Sequence, residues 1–298
     1  MKISVAAVPY FWSKENYLSF YEALAKTPVD IIYLGETVCA KRRSMNLPDW
    51  LDIAAMLKQS GKEVVLSTLT LIEAESELNY LAKIARQKNY LIEANDLSAI
   101  QIAHKNQNNF VAGSAINIYN NQTLKIFKPL GLSRWSIPVE LGKLDLAPMI
   151  PMAKNLAIEL EYQVFGRMPL AYSARCFTAR HHQLEKDKCQ FKCLENEQGI
   201  LVKTQEGDSF AQINGIQTQS AKVINLLTQW QQLKSSGIDI LRIMPVNPFD
   251  TIKLICQLKQ IISGETTANN DIFKHKYEYC NGYWFQIEGM KFRQETSY

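Results

Sequence analysis

An α/β barrel of eight strand and helix units is the fold this sequence predicts, and three observations predict it. Short apolar runs alternate with amphipathic stretches along most of the chain, eight of those runs read as strands, and no G-x-G-x-x-G or Walker sequence follows any of them. Repeated strand and helix units build a parallel sheet with helices outside, and eight of them close into a (β/α)8, TIM-like barrel, incomplete or distorted forms included. The open doubly wound sheet is the alternative, and without a glycine-rich phosphate turn it has no support in the sequence.

The elements follow in order. The opening MKISVAAVPYFWSKENY resembles a secretory leader only superficially: Pro9 interrupts its apolar run, no small-residue cleavage pattern follows, and it turns polar at Ser13. Residues 4–9 therefore read as a buried first strand. Residues 14–26 have a helical period, 30–35 form a strand, and 48–60 a helix with Pro48 in its first turn and Gly61 at its end. Strand 63–70, helix 73–87, strand 90–94, helix 97–105 and strand 110–118 continue the series. A short segment at 120–127, strand 133–141, a helix near 149–154 and strand 157–165 come next. After a polar, hairpin-like stretch at 199–215 the alternation resumes with helix 220–236 ended by Gly237, strand 238–244 and helix 248–262. Residues 1–298 thus read as one barrel domain, with a cysteine-bearing loop after the seventh strand and a hairpin-like insertion at about 166–216.

Composition narrows the function. At 298 residues and 47% hydrophobic the chain can bury a large core. Its 33 basic and 29 acidic residues leave a net charge of +4, too small a field to argue for a nucleic-acid partner. No apolar run approaches the ~20 residues of a membrane helix. The expectation is a cytoplasmic protein without a transmembrane segment, where thiols stay reduced and clustered cysteines bind metal or do redox chemistry.

Three of the six cysteines, Cys176, Cys189 and Cys193, fall within 18 residues, and Cys39 lies far upstream in GETVCAKRR. Barrel enzymes place their chemistry on loops at the C-terminal ends of the strands. Cys39 follows the second predicted strand and Cys176 the seventh, so the four thiols are expected to share one rim. All-cysteine sites hold zinc or an iron-sulfur cluster. One C-x-x-x-C pair joined to two isolated cysteines suits a cluster at an active-site mouth better than the paired C-x-x-C units of structural zinc. The compact C-x-x-x-C-x-x-C of radical enzymes is absent, since LENE follows Cys193. Cys256, within IKLICQLKQII, and Cys280 read as buried hydrophobes.

Other polar residues carry weaker signals. His181 and His182 adjoin Arg180 and could face a cluster or an anion, but adjacent loop histidines are usually solvated. Arg167, Arg175 and Arg180 would raise the local potential, or simply line a wet loop. Glu36, Asn95, Asn117 and Glu140 fall near strand ends, where chance also puts polar groups. The stretch 271–290, DIFKHKYEYCNGYWFQIEGM, reads as a terminal element packed on the barrel or as a partner surface rich in aromatics.

The run EYQVFGRMPLAYSARC, the C-x-x-x-C after it, the lone cysteine after the second strand and the segments ISVAAVPYFW and YLGETVCAKR closely resemble the UbiV family of collagenase-like peptidase relatives, over essentially the whole chain. The resemblance implies that Cys39, Cys176, Cys189 and Cys193 ligate a [4Fe-4S] cluster. It implies a heterodimer with a UbiU-like subunit carrying its own cluster, and hydroxylation of a ubiquinone precursor without O2. It further implies prephenate as oxygen donor and a lipid-binding accessory protein that presents the precursor. The interval from Cys39 to Cys176 is slightly shorter than in that family. Two other readings stand beside it: a hydrolase or peptidase, although no H-E-x-x-H, G-x-S-x-G or Cys-His dyad is evident, and a non-catalytic scaffold with a structural cluster.

Overall fold

Eight parallel strands, rich in buried apolar residues, form the wall of the molecule in the computed structural model, which describes residues 1–266 and 276–294. They are β1 (Lys2–Val5), β2 (Ile31–Leu34), β3 (Glu63–Ser67), β4 (Leu91–Ala94), β5 (Phe110–Ala112), β6 (Leu132–Ile137), β7 (Glu159–Tyr172) and a late strand Ile240–Ile243. The late strand pairs with both β1 and β7, so the sheet closes. The TIM-like (β/α)8 barrel is therefore the observed fold.

Helices α1 (Lys14–Ala25), α2 (Leu47–Gln59), α3 (Glu75–Ala85) and α4 (Leu97–Lys105) fill the first four crossovers, most of them begun by local chemistry. Ser13 caps α1, Asp96 caps α4, and Asn46 with Asp49 forms a reciprocal capping box on α2. Their apolar stripes and the outward strand residues make the main core between wall and helices, with Leu24, Leu57 and Leu34 wholly buried.

Inside the barrel the strand alternation presents a smaller apolar set, including Ile31, Tyr33, Val65, Val111 and Ile240. Charged groups complete it. Arg242 donates to Glu93 at 2.6 Å and to Glu161 at 3.0 Å, and its guanidinium lies 4.2 Å over the Tyr33 ring. Tyr33 and Ser4 hydroxyls also donate to Glu161, and Ser67 to Glu93. Two buried carboxylates are thus satisfied by one cation and three hydroxyls, as buried charge demands.

The region after β7 departs from a plain barrel. Gly166, at φ +112°, turns the strand where a Cβ would strike Met244, and β7 then runs on past the rim to Tyr172. Against that extension packs an antiparallel lobe: β8 (Ile200–Lys203), β9 (Ser209–Asn214) and β10 (Gln217–Asn225). The helix expected over 220–236 is therefore half strand. It starts only at Trp230, because Val223 and Ile224 are held between β7 and the short strand Tyr279–Cys280. Likewise the strand expected over 110–118 stops at Ala112 and gives way to a 3-10 turn, Ser114–Ile116. Of the aromatic tail, residues 271–275 lie outside the described residues. The rest packs on the barrel, with Trp284 buried against Tyr162 at a ring distance of 5.4 Å.

Candidate functional site

The loop after β2 and the loop after β7 meet at one rim pocket, and its walls include Cys39, Cys176, Cys189 and Cys193. Each cysteine is placed by its local backbone. The Cys39 N–H donates to Glu36 Oε1 at 3.0 Å, alongside the Val38 N–H at 2.8 Å, so a single carboxylate shapes the turn. Cys176 begins the short helix Phe177–His181, and its Sγ accepts from the Ala179 N–H at 3.4 Å. Gln190 and Phe191 follow Cys189, both at left-handed φ of 52° and 54°. Neither is glycine, so this turn costs roughly 1–2 kcal/mol per residue, and it brings Cys193 back to the pocket.

Arg42 organises the wall between them. Its Nη1 donates to Pro9 O and its Nη2 to Asn214 Oδ1, both at 2.7 Å, and Glu36 Oε1 lies 3.7 Å from Nη1. Its Nε is buried without a hydrogen-bond partner among the described residues, and the Cys193 thiol interacts with the Arg42 side chain. Burial pushes the Cys39 and Cys193 thiols up, and the Arg42 cation opposes the rise at both. Burial likewise raises the Glu36 carboxyl, against Arg42 and the backbone donors that favour its anion.

Gly215 closes the pocket from the lobe. At φ +66° it turns β9 into β10, and a Cβ there would lie 2.9 Å from Arg42 Nη2. Lys41 fastens the other side by donating to Asp187 Oδ1 and, at 3.0 Å, to Lys186 O.

The remaining expected residues are dispersed. Asn95 is structural, donating to Thr68 O at 2.9 Å. Asn117 and Glu140 line a separate, polar hollow over the barrel mouth with Thr70 and Tyr172, and Tyr119 donates to Glu140 Oε1 at 2.7 Å. Arg167 ties β7 to β10 by donating to Ser220 O at 3.1 Å. Arg175, Arg180, His181 and His182 do not line the cysteine pocket. Of the two cysteines read as buried hydrophobes, Cys280 is buried, while Cys256 is exposed on its helix. Arg42 has no signal of its own in the sequence: it is the middle of three basic residues, KRR, and nothing in such a run marks one member as buried.

The sequence model of peptidase family U32 matches residues 16–246. This chain belongs to peptidase family U32. Solved structures share with this U32 protein only a distant likeness. The Plasmodium falciparum HPPK-DHPS structure has 8% identity and a TM-score of 0.47, covering 91% of this chain and 48% of its own. The U32 chain thus spans about half of that protein's length. Dihydropteroate synthase from Thermus thermophilus has 9% identity and a TM-score of 0.39, with 85% and 93% coverage of the two chains. The spore cortex-lytic enzyme SleL of Bacillus megaterium has 9% identity and a TM-score of 0.40, with 87% and 74% coverage.

The donor set bears on which metal group would fit. Among the described residues no group of three or more His, Cys, Asp and Glu side chains is arranged to hold a metal ion. Tetrahedral zinc with Zn–S bonds of about 2.3 Å gathers its sulfurs to about 3.8 Å of one another. The four thiols line the walls of one shared pocket, next to the buried Arg42 cation. Four thiolates around a four-iron cluster each bind a different iron, and hydrogen bonds to the sulfurs tune it. Four thiols in one pocket match such a cluster in donor number and type.

Proposed function

We propose that this chain is a UbiV-type iron-sulfur subunit of a two-subunit hydroxylase that modifies a ubiquinone precursor without O2. The convergence of Cys39, Cys176, Cys189 and Cys193 on one pocket at the C-terminal rim of the barrel carries this reading. A [4Fe-4S] cluster, when bound, supplies one-electron redox chemistry.

The chain's own residues hold the ligands and set the field. Glu36 fixes the Cys39 turn, Arg42 offsets the negative charge of four thiolates, and Phe191, its ring 6.0 Å from that of Phe11, supplies an apolar wall. A UbiU-like subunit is the expected partner, with prephenate as oxygen donor and a lipid-binding accessory protein delivering the quinone precursor. No helix among the described residues is long and apolar enough to cross a membrane.

The family name favours a second reading, a peptidase or other hydrolase. A serine or cysteine hydrolase activates its nucleophile with a hydrogen-bonded base, and among the described residues no histidine bonds to a serine or cysteine side chain. A strain lacking this chain separates the two: it should make ubiquinone in air and fail to make it without oxygen. Cys176→Ala should reproduce the anaerobic defect. Normal anaerobic ubiquinone in the Cys176→Ala strain would overturn the hydroxylase reading.

A further inference from the structure

The helix ring of the barrel has an opening that the cysteine site does not use. Helix α1 packs on α2 and α3 on α4, and between α2 and α3 lies a cavity of about 280 Å³. Met45, Leu47, Trp50, Leu69 and Tyr80 supply its apolar walls. Met45, Trp50 and Leu69 are buried, so the walls are rigid parts of the core rather than surface side chains. The volume falls just below the ~300–1,000 Å³ of small-molecule sites, which suits one ring and is too small to hold a long isoprenoid chain.

Its charges are unevenly spent. Glu36 and Arg42, on the wall shared with the cysteines, face one another and are held by Val38, Cys39, Pro9 and Asn214. The Glu77 carboxylate is occupied at the start of α3, accepting from the Glu73 and Ala74 N–H groups. The start of α2 is already closed by Asn46 and Asp49, so neither helix end offers free donors. Arg43 and Lys83, at the cavity's exposed edge, form no ion pair among the described residues. An apolar slot with aromatic walls therefore opens beneath two unspent cations.

We infer that this cavity binds a small flat ring carrying one anionic group, an aromatic carboxylate being the simplest case. The ring lies against Trp50 and Tyr80, where offset or edge contacts are favourable. The carboxylate meets Arg43, whose planar fork matches it, with Lys83 adding a second charge. None of the four cysteines lines the cavity, so binding there does not require that they hold a cluster.

Titration calorimetry of the whole protein with benzoate, benzamide and benzylamine tests this, on samples with and without iron. Benzoate should bind in both samples. Its neutral and cationic analogues should bind at least about tenfold more weakly, the value of one charge-assisted contact. The Arg43→Ala/Lys83→Ala protein should lose a similar factor for benzoate alone. Asn79→Trp, which fills the cavity from an exposed position on α3, should abolish binding of all three, with circular dichroism confirming that both variants fold. Equal affinity for the three probes, no binding of benzoate, or benzoate binding untouched by both variants would overturn the inference. Failure of the cluster assignment would leave these results unchanged, which separates the two proposals.

Discussion

Arg42 Nη2 donates to Asn214 Oδ1 at 2.7 Å across 172 residues of sequence, joining the loop after β2 to the turn of the antiparallel lobe. This one guanidinium, 1% exposed in its side chain, also holds Pro9 O and faces Glu36. It thereby fixes the two halves of the cysteine pocket relative to each other. Arg42→Met should lower stability by roughly 3 kcal/mol, because it leaves a buried carboxyl without its cation and an amide oxygen without its donor. Urea unfolding measures the loss. Arg42→Lys should recover little of it, since an ammonium lacks the planar fork that reaches two acceptors at once.

The ligand assignment makes its own forecast. Cys39→Ala, Cys176→Ala, Cys189→Ala and Cys193→Ala should each sharply reduce iron and acid-labile sulfide in protein purified without oxygen, since four thiolates complete the set. Cys256→Ala and Cys280→Ala should keep both. Cys256 is exposed on a helix away from the pocket, and burial pushes the Cys280 thiol up to about 12, so it stays protonated and poor as a ligand. Full iron in the first four variants, or its loss in Cys256→Ala, would refute the assignment.

Particular residues show how far the sequence can be read. All eight barrel strands are visible in it because each contains a short run rich in buried apolar residues, and the meeting of Cys39 with Cys176 follows from their places after the second and seventh strands. The stretch 220–236 misleads because SAKVINLLTQW carries apolar residues at helical as well as alternating spacing, and only pairing with β7 and the strand Tyr279–Cys280 decides for strand. Glu93, Glu161 and Arg242 stand out as charges within apolar strands, but their partnership depends on closure of the barrel, which brings strands far apart in sequence to one axis. The same holds for the cavity between α2 and α3: its walls come from three separated stretches, and no local pattern marks an opening between helices.

The interior charges should be cooperative. Arg242→Met strands Glu93 and Glu161 in a closed barrel and should cost roughly 3–5 kcal/mol. Replacing both carboxylates as well, in Glu93→Gln/Glu161→Gln/Arg242→Met, should recover much of that loss, because no unpaired charge remains. Denaturant unfolding of the single and triple variants gives the comparison. A triple variant much weaker than Arg242→Met would show that the cation is not the partner that matters.

The returning tail is held by an acid-sensitive latch. Lys276 Nζ lies 2.6 Å from Asp250 Oδ2, and the Tyr277 hydroxyl donates to the same oxygen, while Asn247 Nδ2 donates to it from the cap of the last long helix, Pro248–Ser263. Burial alone would raise the Asp250 carboxyl, but the hydrogen bonds from Lys276, Tyr277 and Asn247 outweigh it and hold the group below the usual range. A carboxyl lowered in the folded state contributes stability that is fully present above its unfolded value of about 3.9 and is lost as pH falls through the lower folded value. Asp250→Asn should therefore be less stable than the unaltered protein by about 1–2 kcal/mol at neutral pH. The gap should narrow as pH drops below about 4. Urea midpoints of the two proteins from pH 7 down to the acid limit would show the curves converging; a gap that stays constant, or widens in acid, would mean that the Asp250 charge does not hold the tail.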